Sequence, residues 1–244
     1  TGRGTVATGR IERGIVNTSD VVDIKSISDV HILLDPNAPL GDPEAATAAV
    51  FYSISNAQAG LTGINFGNFL IKRVVDSLSR QLPNIQNFAT LSPVPGFNHW
   101  LSRCFDEEAF DLITPKHREA LLSISDKDSP IAAVKDLLSR DNWYRDDLVV
   151  DALKDPLMRL CAYYLTSEKR KKGTALDSVA HFHLNNGASL DRINWLADLS
   201  TRGLKQSNGI MINYLYDLQT IDANHESYRG GATITSSVGV QVFL

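Results

Sequence analysis

The stretch FYSISNAQAGLTGINFGNFLIKRVVDSLSRQLPNIQNFATLSPVPGF, running from Phe51 to Phe97, decides the fold. It reads as an apolar strand over Val50–Ser55, then a loop with glycines at Gly60, Gly63 and Gly67. An amphipathic helix, a second strand over Asn87–Leu91 and a Ser-Pro-x-Pro-Gly turn follow. A glycine loop that opens a helix aims unpaired backbone N–H groups at whatever sits before it, and the helix dipole adds partial positive charge. Such a mouth suits an anion, typically a phosphate. The helix is predicted over 67–81, with Phe69, Leu70, Val74, Val75, Leu78 and Leu82 on one side. Lys72, Arg73, Asp76, Arg80 and Gln81 lie largely on the other.

Taken alone, Gly60-x-x-Gly63-x-x-x-Gly67 is neither a Walker loop nor a dinucleotide fingerprint, and it equally suits glycines that merely permit a tight turn. Ser92 is brought to the same mouth by the second strand. Pro93 pushes it toward an extended backbone, and prolines on both sides of Val94 pre-set the turn. The plainer reading of Ser92 is a cap for a helix that starts near Phe97.

Working outward, Pro36–Pro43 is a loop with three prolines, and Asp42 or Pro43 opens a predicted helix over 43–50. Residues 1–24 alternate β-branched residues with Gly-Arg pairs, the pattern of a twisted hairpin. Downstream, Thr114-Pro115, Ser129-Pro130 and Asp155-Pro156 each read as an N-cap followed by proline at the first helical position. The third of these helices is predicted to end in Lys169–Lys172 and a Gly173 cap. Asp177 caps a short helix through His183, and a bend follows at Asn185-Asn186-Gly187. Tyr214 and Tyr216 alternate in a predicted strand, where either hydroxyl could reach a cleft.

Composition narrows the function classes. A hydrophobic fraction of 43% and a mean hydropathy of −0.12 are those of a soluble globular protein. No apolar run approaches the roughly 20 residues of a bilayer span, and no signal peptide opens the sequence. A net charge of −4 argues against nucleic acid as the main partner. Cys104 and Cys161 are too few for a disulfide framework, which suits a reducing interior and leads to a cytoplasmic expectation.

His181 and His183 are the other candidates for chemistry. On a strand both imidazoles would share a face and could ligate a metal, yet no third ligand stands at convincing spacing. On a helix they diverge, and one is left as an acid or base near neutral pH. The plainer alternative is one packed and one solvent-facing histidine. The run Lys169–Lys172 could greet a phosphate but more simply forms a solvated helix end.

Together, FYSIS, GLTGINFGNFLIKRVV, LSPVPGF, HFHLNNGA, RINWLADLS and INYLYDL resemble the catalytic domain of the malonyl-CoA decarboxylase family, in its order and at compatible spacing. The resemblance runs from about Asp29 to near Asn224. It implies an α+β fold similar to the N-acetyltransferases: a mixed sheet flanked by helices, with a helical insertion. It also implies that malonyl-CoA becomes acetyl-CoA and carbon dioxide without metal, biotin or other cofactor. By the same resemblance the CoA-binding loop falls on Thr62, Gly63, Ile64, Asn65, Phe66, Gly67 and Asn68. The catalytic serine falls on Ser92, the catalytic histidine on His183 and an active-site tyrosine on Tyr216, while His181 has no role.

Residues 1–24 are separately similar to the opening of the second, β-barrel domain of elongation factor Tu, with no GTP-site motif. The expected division is therefore a foreign, hairpin-like segment over 1–28 and a catalytic domain over 29–244. Members of the family carry a helical N-terminal assembly domain that has no counterpart here, which leaves homo-oligomerisation open. Three other readings remain: an acyltransferase on the same fold, a CoA-binding fragment without catalysis and, last, a metal hydrolase using His181 and His183.

Overall fold

The strand predicted over Asn87–Leu91 runs two residues further, to Pro93, and becomes one of the two central strands of a mixed sheet. The computed structural model describes residues 47–52, 67–106 and 113–244. Within them the strands β1 (Ala48–Tyr52), β2 (Asn87–Pro93), β3 (Ser189–Asn194) and β4 (Met211–Leu215) lie in the order β1-β2-β4-β3. β1 and β2 are parallel, from Ala48 opposite Asn87 to Tyr52 opposite Leu91. Their connection contains α1 (Gly67–Gln81), whose bounds match the apolar periodicity. β4 is antiparallel to both β2 and β3. Phe88, Ala89, Thr90, Leu91 and Ser92 are all buried, so β2 is covered on both faces.

Ala48 and Ala49, predicted as part of a helix, instead start β1, which also holds the Val50 predicted as strand. Alanine is the best helix former, but propensity amounts to under about 1 kcal/mol per residue, and pairing with β2 overrides it. Residues 43–46 of that predicted helix, the 1–28 segment and most of the glycine loop (53–66) lie outside the described residues.

Between β2 and β3 comes the expected helical insertion: α2 (Phe97–Asp106), α3 (Pro115–Ser123), α4 (Pro130–Ser139), a 3-10 turn (Trp143–Arg145), α5 (Asp147–Thr166) and α6 (Ser178–Asn185). Thr114 and Ser129 cap α3 and α4 as predicted, accepting from the backbone N–H groups of His117 and Ala132. Asp155-Pro156 does not start a helix. Asp146 caps α5, which runs on through a buried Pro156. An interior proline costs about 3 kcal/mol. Here Val149, Leu153, Leu157, Leu160 and Leu165 form a buried stripe on both sides of it, and that burial offsets the cost. α5 also stops at Thr166, so Lys169–Lys172 lie in a turn closed by a bridge between Lys169 and Ala175. Gly173, at φ 79°, supplies the left-handed residue of that turn.

α7 (Thr201–Ser207) packs on β2, α8 (Ile221–Gly231) on α6, and α9 (Val238–Gln241) on β3. Phe97, Trp100 and Tyr164 make an aromatic joint between α2 and α5. Cys161 is fully buried in α5 and forms no disulfide with Cys104. Among the described residues, no helix is long and apolar enough to cross a membrane.

Candidate active site

Ser92 follows Leu91, the last β2 residue in register with β1, and still lies opposite Ile212 of β4. The two-residue period of a strand puts its side chain on the same face as Thr90. α6 supplies His183 to Ser92. Ser92 Oγ lies 3.0 Å from His183 Nε2, and His183 Nδ1 lies 2.8 Å from the Tyr216 hydroxyl. The Ser92 hydroxyl donates to Thr90 Oγ1 at 3.0 Å. The imidazole stacks on the Tyr214 ring at 4.3 Å between centroids and meets the edge of Phe182. His183 and Ser92 are only 3% and 6% exposed.

Burial decides the protonation states. It pushes His183 down to about 3, because a charged imidazolium would lose its hydration. The ring is therefore neutral at pH 7. Burial pushes the Tyr214 and Tyr216 hydroxyls upward, so both remain protonated phenols. The cluster is a dry set of neutral hydrogen-bonding groups.

One carboxylate holds the two halves together. Asp177 caps α6 through Oδ1, which accepts from the backbone N–H groups of Val179 and Ala180. Its Oδ2 accepts from the Gly96 N–H at 3.2 Å and from the Tyr164 hydroxyl at 3.3 Å. Asp177 thus ties the helix bearing His183 to the turn that follows Ser92. Burial raises its pKa, and those four hydrogen bonds oppose the shift. Gly96 must lack a side chain here, since a Cβ would sit 2.2 Å from the Tyr164 oxygen.

The structure therefore brings Ser92, His183 and Tyr216 together. α1 begins at Gly67, so Gly67 and Asn68 form the opening of that helix, while Thr62, Gly63, Ile64, Asn65 and Phe66 lie outside the described residues. His181 points elsewhere: its Nδ1 lies 2.8 Å from the Tyr228 hydroxyl, which also receives the Ala175 N–H. Among the described residues, no three or more His, Cys, Asp or Glu side chains cluster as metal ligands. Sequence reasoning missed Thr90, Tyr164 and the second oxygen of Asp177. Thr90 had a local signal, since hydroxyls two apart on a strand share a face. The other two depend on contacts distant in sequence.

A family model described as the malonyl-CoA decarboxylase C-terminal domain matches residues 19–244. A mitochondrial malonyl-CoA decarboxylase of the goose Anser anser anser is 45% identical over 208 residues, covering 83% of this chain and 41% of its own length. The mitochondrial enzyme of Rattus norvegicus is 42% identical over 207 residues, again covering 83% of this chain and 42% of its own. The chain thus spans less than half the length of these curated relatives. Among solved structures, malonyl-CoA decarboxylase from Rhodopseudomonas palustris superposes with a TM-score of 0.77 at 44% identity, covering 88% of this chain and 46% of that one. The Agrobacterium vitis protein gives 0.78 at 39% identity, covering 91% and 51%.

Proposed function

The chain belongs to the malonyl-CoA decarboxylase family, and we propose that it is a carboxy-lyase converting malonyl-CoA to acetyl-CoA and carbon dioxide. The observation that carries this reading is the buried 3.0 Å contact between Ser92 Oγ and His183 Nε2, in a cluster of neutral hydrogen-bonding groups. The bond between the α-carbon and the carboxylate breaks, and its electron pair moves onto the thioester oxygen to give an enolate. Carbon dioxide leaves. The α-carbon then takes one proton from the Ser92–His183 pair, which water replenishes.

Neutral donors preset toward the developing charge stabilise it, by roughly 3–4 kcal/mol for one well-placed hydrogen bond. In this reading His183 is the proton source, Ser92 relays the proton or holds the departing carboxylate, and Tyr216 supports the imidazole. A dry site also favours loss of a carboxylate stripped of its water. On the resemblance of this loop to the family's, we assign the CoA diphosphate to Thr62, Gly63, Ile64, Asn65, Phe66, Gly67 and Asn68. No metal or organic cofactor takes part. The protein does not act on nucleic acid, and its location is cytoplasmic, although the curated relatives are named as mitochondrial.

The test is to mix the purified protein with malonyl-CoA, without an acyl acceptor, and to follow acetyl-CoA by mass spectrometry. Product formation that survives a chelator and falls steeply, to a measurable residual rate, in Ser92→Ala and His183→Ala supports the reading. Product only in the presence of an amine acceptor points to an acyltransferase, and CoA binding without turnover to a non-catalytic module. Full activity in both variants overturns the site.

A further inference from the structure

Behind Ser92 the pairing of β2 with β4 is interrupted. The register runs from Ser92 opposite Ile212 to Ala89 opposite Leu215, and between them side chains replace ladder bonds. The Tyr214 N–H donates to Thr90 Oγ1 at 3.3 Å. Asn213 Nδ2 donates to the Thr90 carbonyl at 2.8 Å, and Asn194 Nδ2 holds Asn213 Oδ1 at 2.7 Å. Thr90 is fully buried, and its hydroxyl oxygen is held where it faces Ser92.

A hydroxyl has a single hydrogen to give, and Ser92 gives it to Thr90 Oγ1. The Ser92 oxygen can then only accept from His183 Nε2, 3.0 Å away. A neutral imidazole carries one N–H, so Nδ1 is bare and accepts from the Tyr216 hydroxyl. We propose that Thr90 is a positioning residue that sets the direction of this hydrogen-bond chain, Tyr216 to His183 to Ser92 to Thr90. The polarity is opposite to that of a serine nucleophile, whose hydroxyl donates to a histidine base. It presents a proton on the nitrogen facing Ser92, which is what protonation of an α-carbon requires and acyl transfer to serine does not. This inference deepens the proposed decarboxylase reading and rests on it for its functional meaning.

Nitrogen NMR of the substrate-free wild-type protein with 15N-labelled histidine tests it directly. His183, assigned by difference from His183→Gln, is expected to carry its proton on Nε2 at pH 7. Thr90→Val, which keeps the shape and removes the hydroxyl, is expected to lose that single tautomer. Its kcat on malonyl-CoA should fall roughly 10- to 100-fold, the scale of a slightly misplaced catalytic group. KM should change little, because the CoA contacts are untouched. Thr90→Ser should restore both the tautomer and the turnover. On a Ser92→Ala background, Thr90→Val should cost nothing further, since it acts through Ser92.

A proton on Nδ1 in the wild type overturns the proposal, as does full kcat in Thr90→Val, equal damage in Thr90→Ser, or an undiminished loss on the Ser92→Ala background. The wild-type spectrum decides the direction even if Thr90→Val does not fold. If Ser92→Ala and His183→Ala retain full turnover, the decarboxylase site fails on its own, while the tautomer still reports on Thr90.

Discussion

α6 carries two histidines two residues apart, each 2.8 Å from a tyrosine hydroxyl, yet the two faces of this short helix differ in kind. His181 is partly exposed, and its partner Tyr228 also receives the Ala175 N–H, so the contact closes on itself. It joins α6, α8 and the turn after α5. His183 is buried, and its second nitrogen meets Ser92, which in turn meets Thr90. The difference teaches that a histidine–tyrosine pair becomes a candidate for chemistry through what lies beyond it and how dry it is.

The sharpest way to break this comparison is to delete each imidazole. His183→Ala is expected to lose decarboxylation by roughly 10²- to 10⁴-fold, the usual worth of a placed acid or base. His181→Ala should keep most of the turnover and lose some stability as its tie to Tyr228 goes. Steady-state rates on malonyl-CoA for the two variants check this, and equal losses would remove the distinction.

Acid titration separates the pair next. The folded pKa of His183 is about 3 against an ordinary 6.5, so between those values the unfolded chain binds the extra proton. Stability contributed by keeping this ring neutral is therefore full above 6.5 and is lost as pH falls toward 3. The slope is up to about 1.4 kcal/mol per pH unit. Urea unfolding of the wild type and of His183→Gln across that window should show the variant less acid-sensitive by that slope. For His181, burial also lowers the pKa, helped by Arg170, but the ring keeps access to water, so His181→Gln should flatten the curve much less.

A third test moves the two halves of the site apart. Gly96→Ala drives a methyl into the Tyr164 hydroxyl beside Asp177. Overpacking of this kind costs about 1–3 kcal/mol. The turn that follows Ser92 must then shift relative to α6, so the rate should fall along with the melting temperature. A variant that melts lower but turns over normally would show that the Asp177 tie does not position Ser92.

Legibility from sequence follows the same division between local and distant causes. The caps at Thr114, Ser129 and Asp177 and the bounds of α1 depend on neighbours within a few residues, and the sequence patterns located them. Pro156 misled because proline is an N1 signal by frequency, whereas the apolar stripe of α5 continues through it. Ala48 and Ala49 misled because β pairing with a strand some 40 residues away outweighs a small propensity. Nothing in residue spacing joins Ser92 to His183, which are 91 residues apart, and only the resemblance of six motifs paired them. Thr90 shares a strand face with Ser92, a pattern within reach of the sequence, but its acceptor role shows only with the interrupted β2–β4 pairing.

The smallest expected effect lies on the His181 side and probes whether it is purely structural. Ala232 ends α8 in the left-handed region at φ 51°, its N–H bonded to the carbonyls of Ser227 and Tyr228. An alanine there bears a steric cost that glycine avoids, so Ala232→Gly should stabilise the protein by about 0.5–1 kcal/mol. Because α8 carries Tyr228, the partner of His181, the gain should appear in unfolding midpoints and leave kcat and KM as they were. A change in kcat from this exposed helix end would mean that the Tyr228–His181 contact is coupled to the buried chain through α6, and the two histidines would have to be treated as one system.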